Sequence, residues 1–105
     1  MSDGRLVEAR QRIDASTAGD VDLSGLDLTS EDLTELLRDT RALAEVVSLD
    51  LANNKLDTLP DTVAGWTSLT VLDLSDNRLT TLPDAVAAWT TLEQLTLSDN
   101  RLTTL

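Results

Sequence analysis

Leucines alternate with polar residues in short strings along the second half of the chain. In Ser48-Leu49-Asp50-Leu51-Ala52, Leu49 and Leu51 are apolar while Ser48, Asp50 and Ala52 lie between and beside them. Period-two alternation over so few residues predicts a short strand with one buried face. The string returns as Val71-Leu72-Asp73-Leu74-Ser75 and again as Gln94-Leu95-Thr96-Leu97-Ser98, each 23 residues after the last. Every leucine recurs in register, and so do Asn54, Asn77 and Asn100. The second halves agree as well: Pro60 with Pro83, Val63 with Val86, Trp66 with Trp89, Thr67 with Thr90.

Each unit has a physical reading. An Asn amide offers two donors and an acceptor. Placed where the strand turns away, Asn54, Asn77 and Asn100 predict a ladder that satisfies turn groups otherwise left without partners. Pro60 and Pro83 fix an extended start to the return segment. Asp61 to Trp66 predicts one helical turn on the outer side, burying Val63 and Trp66. No unit can bury its leucines alone, so successive units must stack.

The first unit differs. Val21-Asp22-Leu23-Ser24-Gly25-Leu26-Asp27-Leu28 reads like Leu72 to Leu79, with Leu26 in the Asn place. This register makes the unit 28 residues long, from Leu23 to Leu51. A second register keeps 23 residues by matching Leu26 to Leu49 and puts Glu31 in the Asn place. Ser30 predicts a helix N-cap, with acids in the first turn and Leu33, Leu36 and Leu37 on one face. Before it, Leu6, Ala9 and Ile13, with Val7 beside them, predict an amphipathic helix from Asp3 to Ala15 that covers the first strand. Ala15 to Gly19 is the expected connection.

The unit L-x-x-L-x-L-x-x-N-x-L resembles the leucine-rich repeat, and the resemblance runs from about Val21 to Leu105. The Leu-Pro step and 23-residue spacing resemble the short bacterial subclass, and the first unit resembles the longer ribonuclease-inhibitor-like type. The resemblance implies an α/β fold: a right-handed solenoid with short parallel strands on its concave side. Residues 1–20 would form the capping helix and loop, and 21–105 about four units, the last incomplete. The chain stops at Leu105 without a polar capping segment, although terminal repeats normally need one. Either a longer chain continues the stack or something covers its end, and a second copy is one candidate cover because an open edge strand invites pairing.

Composition narrows the chemistry. There is no Cys and no His, and Phe and Tyr are also missing. Disulfides, thiol catalysis and thiolate metal sites are thereby excluded, along with the commonest general base. The N-terminus lacks an apolar signal region and no apolar run approaches the roughly 20 residues that span a bilayer, so a cytoplasmic location is expected. One Lys against seven Arg fits a bacterial source. A net charge of −11 disfavours nucleic acid and anionic membranes, and favours a basic partner. The four glycines are scattered, so no phosphate loop is present. Asp50, Asp73 and Asp76 lack the loop and the six to eight oxygens that calcium takes. No catalytic residue, cofactor or metal is expected.

In the family the outward positions of the strands form the usual binding face. Here they are Asp22, Asp50, Asp73 and Thr96 between the strand leucines, then Ser24, Ala52, Ser75 and Ser98, then Gly25, Asn53, Asp76 and Asp99. One step past the Asn come Asp27, Lys55, Arg78 and Arg101. With strands about 4.8 Å apart these sets form columns, one acidic and one basic. A charged platform for a protein partner is one expectation; a solvated face whose columns neutralise each other is the plainer one. The face carries no aromatic anchor, and both Trp residues belong by position to the core. Two further functions stay open: a homodimer formed through the last repeat, and the recognition segment of a larger bacterial signalling enzyme.

Overall fold

The computed structural model describes residues 2–15, 19–38 and 45–102. Its elements are helix α1 (Ser2–Ala15), strand β1 (Asp20–Asp22), helix α2 (Ser30–Arg38), β2 (Ser48–Asp50), 3-10 helix η1 (Asp61–Gly65), β3 (Val71–Asp73), 3-10 helix η2 (Asp84–Ala88) and β4 (Gln94–Thr96). The middle of the α1–β1 connection, the segment after α2 and the last three residues, including the final leucine of the pattern, lie outside the described residues.

The four strands form one parallel sheet in sequence order. Parallel neighbours need a crossover between them, and here α2, η1 and η2 lie in those crossovers. Val21, Leu49, Leu72 and Leu95 pair in one row across the sheet. The first unit therefore takes the 28-residue register; the competing match of Leu26 to Leu49 does not occur. The rows Leu23, Leu51, Leu74 and Leu28, Leu56, Leu79 are fully buried. Burial declines toward β4, where Leu95 is 39% exposed.

The extra length of the first unit makes a true helix. Leu33, Leu36 and Leu37 of α2 are buried, as the helical spacing predicts. The cap is one residue earlier than expected. The Thr29 hydroxyl accepts the Asp32 N–H at 3.2 Å, and the buried Asp32 carboxylate accepts the Thr29 N–H at 3.0 Å. This is a reciprocal capping box with Asp in the usual Glu place. Ser30 instead bonds across to the next unit: its hydroxyl donates to Asp57 at 2.6 Å and accepts the N–H groups of Asp57 and Thr58.

The outer turns follow the proline expectation. Pro60 (φ −71°, ψ 154°) and Pro83 (φ −73°, ψ 161°) are extended and lead directly into η1 and η2. Val63 and Trp66 are buried. Trp66 and Trp89 stack with ring centroids 6.0 Å apart and planes 9° from parallel. Trp89 Nε1 donates to the Val63 carbonyl at 2.9 Å.

α1 lies over the start of the sheet with Ala9 and Ile13 buried, whereas Val7 is 54% exposed and takes no part in the apolar face. Arg12 anchors the helix: its guanidinium donates to the Ser24 carbonyl at 3.0 Å and pairs with Glu8 at 3.1 Å. No helix among the described residues is long and apolar enough to cross a membrane.

Candidate functional site

The expected columns exist, because the pairing register lines up equivalent positions of successive units. Asp22 and Thr96 are exposed, and Asp50 and Asp73 half-buried. Ser75 is half-buried and Ser98 exposed; Asn53, Asp76, Asp99, Lys55, Arg78 and Arg101 are all exposed. One position departs from its column: Ala52 is buried at 6% exposure, so the face is interrupted in the second unit.

The acidic column also serves the backbone. Asp22 Oδ1 accepts the Ser24 N–H at 2.9 Å and its hydroxyl at 2.6 Å. Asp73 Oδ1 does the same with Ser75, at 2.9 and 2.7 Å. Asp50 Oδ1 accepts the Ala52 N–H at 2.9 Å. Each carboxylate thus bonds the chain two residues on, the local pairing characteristic of Asp where a strand ends. The Ser24 hydroxyl and N–H, helped by the Arg12 charge, hold the Asp22 carboxyl below its ordinary value. Among the described residues no hydrogen bond reaches the second oxygen, Oδ2, of these three aspartates.

The next column has a conformational reason that the sequence reading did not assign. Gly25, Asn53, Asp76 and Asp99 all have positive φ, at 68°, 59°, 57° and 58°. Gly, Asn and Asp are the residues that enter the left-handed region most readily. The column's holding only these residue types was the available signal; Asp27 (φ 56°) of the next column and Gly19 (φ 77°) share the conformation. The turn they make aims the following side chain inward, and Asn54 and Asn77 are buried there.

The Asn ladder forms as expected. Asn77 Oδ1 accepts the Leu56 N–H at 3.0 Å, while its Nδ2 donates to the carbonyls of Leu51, Leu74 and Ser75. Asn54 and Asn100 repeat the pattern one unit to either side. Each amide therefore joins its own unit to the one before.

Lys55, Arg78 and Arg101 send their backbone N–H groups to Leu28, Leu56 and Leu79 of the preceding units, at 2.8, 2.8 and 2.9 Å. Their side chains point to solvent and, among the described residues, make no ion pair. The ion pairs found there involve Arg12 and Arg38 instead. The expected neutralisation of the acidic column by the basic one is thus not made by direct contacts. The basic column does share a shallow depression of about 390 Å³ with Asp27, Asn53, Asp76 and Asp99. A second depression, about 480 Å³ and apolar, lies at the β4 end between Leu82, Pro83, Val86, Ala87, Leu95 and Leu97. Among the described residues no group of three or more Asp or Glu is arranged to hold a metal ion.

A search of curated proteins finds no match to the chain. A profile of the family described as "Leucine rich repeat" matches residues 21–79 and 44–102 in two overlapping windows. Those windows contain β2, β3, β4, all of β1 but Asp20, and the whole Asn ladder, so sequence profile and geometry agree: the chain belongs to the leucine-rich-repeat family.

Proposed function

We propose that the chain is a non-enzymatic module that docks a protein partner on the outward side of its strands, the concave side in this family. Leucine-rich repeats generally mediate protein–protein interaction and are typically not catalytic, which supports the general class. The observation that carries the finer reading is the fixed row of Asp22, Asp50 and Asp73. In each, Oδ1 is held by the backbone N–H two residues on, and among the described residues Oδ2 takes no hydrogen bond. Such a row is preorganised to receive Lys or Arg side chains, because the rotamer entropy of the acids is already lost on folding. The partner is basic on this account, in keeping with the net charge of −11. The absence of Cys fits a cytoplasmic setting.

The test uses Asp50→Asn with Asp73→Asn, which keeps the Oδ1 acceptor and removes the charge, beside Asp50→Lys with Asp73→Lys. Capture of partners from the native cell extract is compared with wild type, and circular dichroism confirms the fold. Loss of the same captured protein in both pairs supports the face. Unchanged capture in both rejects it.

Self-association through the last described repeat is a second reading. Leu95 is exposed, β4 carries no charged residue, and the apolar depression beside it is open. An uncharged edge strand lacks the usual guard against pairing. Light scattering of Leu95→Lys against wild type tests this, and an unchanged mass at every concentration ends it.

A further inference from the structure

The rim depression is electrically unlike the rest of the chain. Lys55, Arg78 and Arg101 are the only cations in residues 45–105, against nine acids, and all three line it together with Asp27, Asp76 and Asp99. A protein of net charge −11 therefore has a locally neutral face, in which Asp76 and Asp99 of one column lie beside Arg78 and Arg101 of the next, and Asp27 shares the column of Lys55. Backbone bonds between units hold both columns in register: Asp76 N–H reaches the Ser98 carbonyl, and Arg101 N–H the Leu79 carbonyl. The basic side chains make no ion pair among the described residues.

We infer that this face pairs with the same face of a second copy, about a two-fold axis running along the stack. A half-turn about that axis exchanges the two columns and keeps each unit at its own height. Asp76 then faces Arg78 of the second copy, and Asp99 faces its Arg101. Symmetry doubles both, giving four ion pairs, and Asn53 faces the second copy's Lys55. A rotation about an axis across the columns would set Arg78 near Lys55 and is excluded by repulsion. An isologous contact requires a surface that complements itself, and charge complementarity is what this face supplies. A foreign acidic surface would meet Asp27, Asp76 and Asp99, and a foreign basic one the Lys and Arg column. The inference goes beyond the reading of the Asp22, Asp50 and Asp73 row, whose partner is basic, and concerns the rim columns beside that row.

Surface ion pairs are each worth up to about fivefold in affinity and are screened by salt. The dimer is therefore weak and salt-sensitive. Sedimentation velocity of the purified chain is run up to about 1 mM, where weak association is populated, at about 0.02 M and about 0.3 M NaCl, either side of strong screening. Wild type is expected to dimerise at low salt and to lose at least about tenfold in affinity at high salt. Arg78→Glu with Arg101→Glu should stay monomeric. Asp76→Asn with Asp99→Asn keeps the left-handed backbone, since Asn adopts it readily, and should weaken the dimer. An equimolar mixture of these two double variants should associate more tightly than either alone, because the acidic face meets an unopposed basic one. Leu95→Lys should leave the dimer unchanged.

Three outcomes overturn the inference: a monomeric wild type at the highest concentration in low salt, a dimer insensitive to both column variants, or a dimer lost only in Leu95→Lys. Because purified protein alone is used, failure here leaves the strand-face reading to its own capture test at Asp50 and Asp73.

Discussion

Truncating the ladder should cost most at its first rung and least at its last. In Asn54→Ala, three groups lose their partner among the described residues: the N–H groups of Leu26 and Leu28, which bond Oδ1 at 3.2 and 2.9 Å, and the carbonyl of Leu23, which accepts from Nδ2 at 3.0 Å. The carbonyls of Leu51 and Ala52 keep bonds from Asn77 and from the Gly25 N–H. In Asn77→Ala only the Leu56 N–H is orphaned, because Leu51, Leu74 and Ser75 retain bonds from Asn54, Asn100 and the Asn53 N–H. In Asn100→Ala the Leu79 N–H and the Leu97 carbonyl are freed, but Asn100 and Leu97 are half-exposed and water can replace the amide. An orphaned buried polar group costs about 1–3 kcal/mol. Two buried orphans give about 2–6 kcal/mol for Asn54→Ala and one gives about 1–3 for Asn77→Ala, while water access holds Asn100→Ala under about 1. Against a typical domain stability of about 5–15 kcal/mol, the first is a large fraction. Urea unfolding followed by the fluorescence of Trp66 and Trp89 measures all three, with the midpoint shift read at constant slope. Equal losses at the three positions, or the largest loss at Asn100, would refute the reasoning from orphaned groups.

Asp76→Ala forces an unsuited residue into the left-handed region and should cost about 1–2 kcal/mol, whereas Asp76→Gly should cost far less; thermal melts of the two variants decide it. Gly19→Ala should be worse than Gly25→Ala. Both have positive φ, but a Cβ at Gly19 would meet Val47 Cγ2 at 2.9 Å and the Glu45 carbonyl at 3.1 Å, while nothing lies within 4 Å at Gly25. Asp22 titrates lower in the folded chain than in the unfolded one. Its stabilising effect is therefore complete above the unfolded value and fades as pH falls through the folded one. Ser24→Ala removes the largest cause, so an NMR titration should find the Asp22 carboxyl moved upward. The stacked indoles should give an exciton couplet in far-ultraviolet circular dichroism, lost in either Trp66→Phe or Trp89→Phe.

Much of the fold was legible along the chain. The period-two leucines located the three later strands, and the recurring Asn named the ladder. Leu33, Leu36 and Leu37 placed α2, and the match of Val21 to Leu72 gave the 28-residue first unit. The candidate face was legible only as columns. Ala52 occupies an outward column yet is buried, and Thr29, not Ser30, caps α2 because Ser30 is drawn to Asp57 and Thr58 in the next unit. Val7 lies beside the apolar stripe of α1 but faces away from it.

The sequence by itself determined the repeating leucine rows of the core and the order of the later strands, because burial of apolar surface acts on a periodic pattern and the period is written in the chain. Only the tertiary structure decided which groups the polar residues bond in the neighbouring units. Asn54 reaches a carbonyl 31 positions away, Trp89 a carbonyl 26 positions away, and Ser30 the backbone 28 positions on. Such bonds depend on distance and angle between units, which spacing along one chain does not encode.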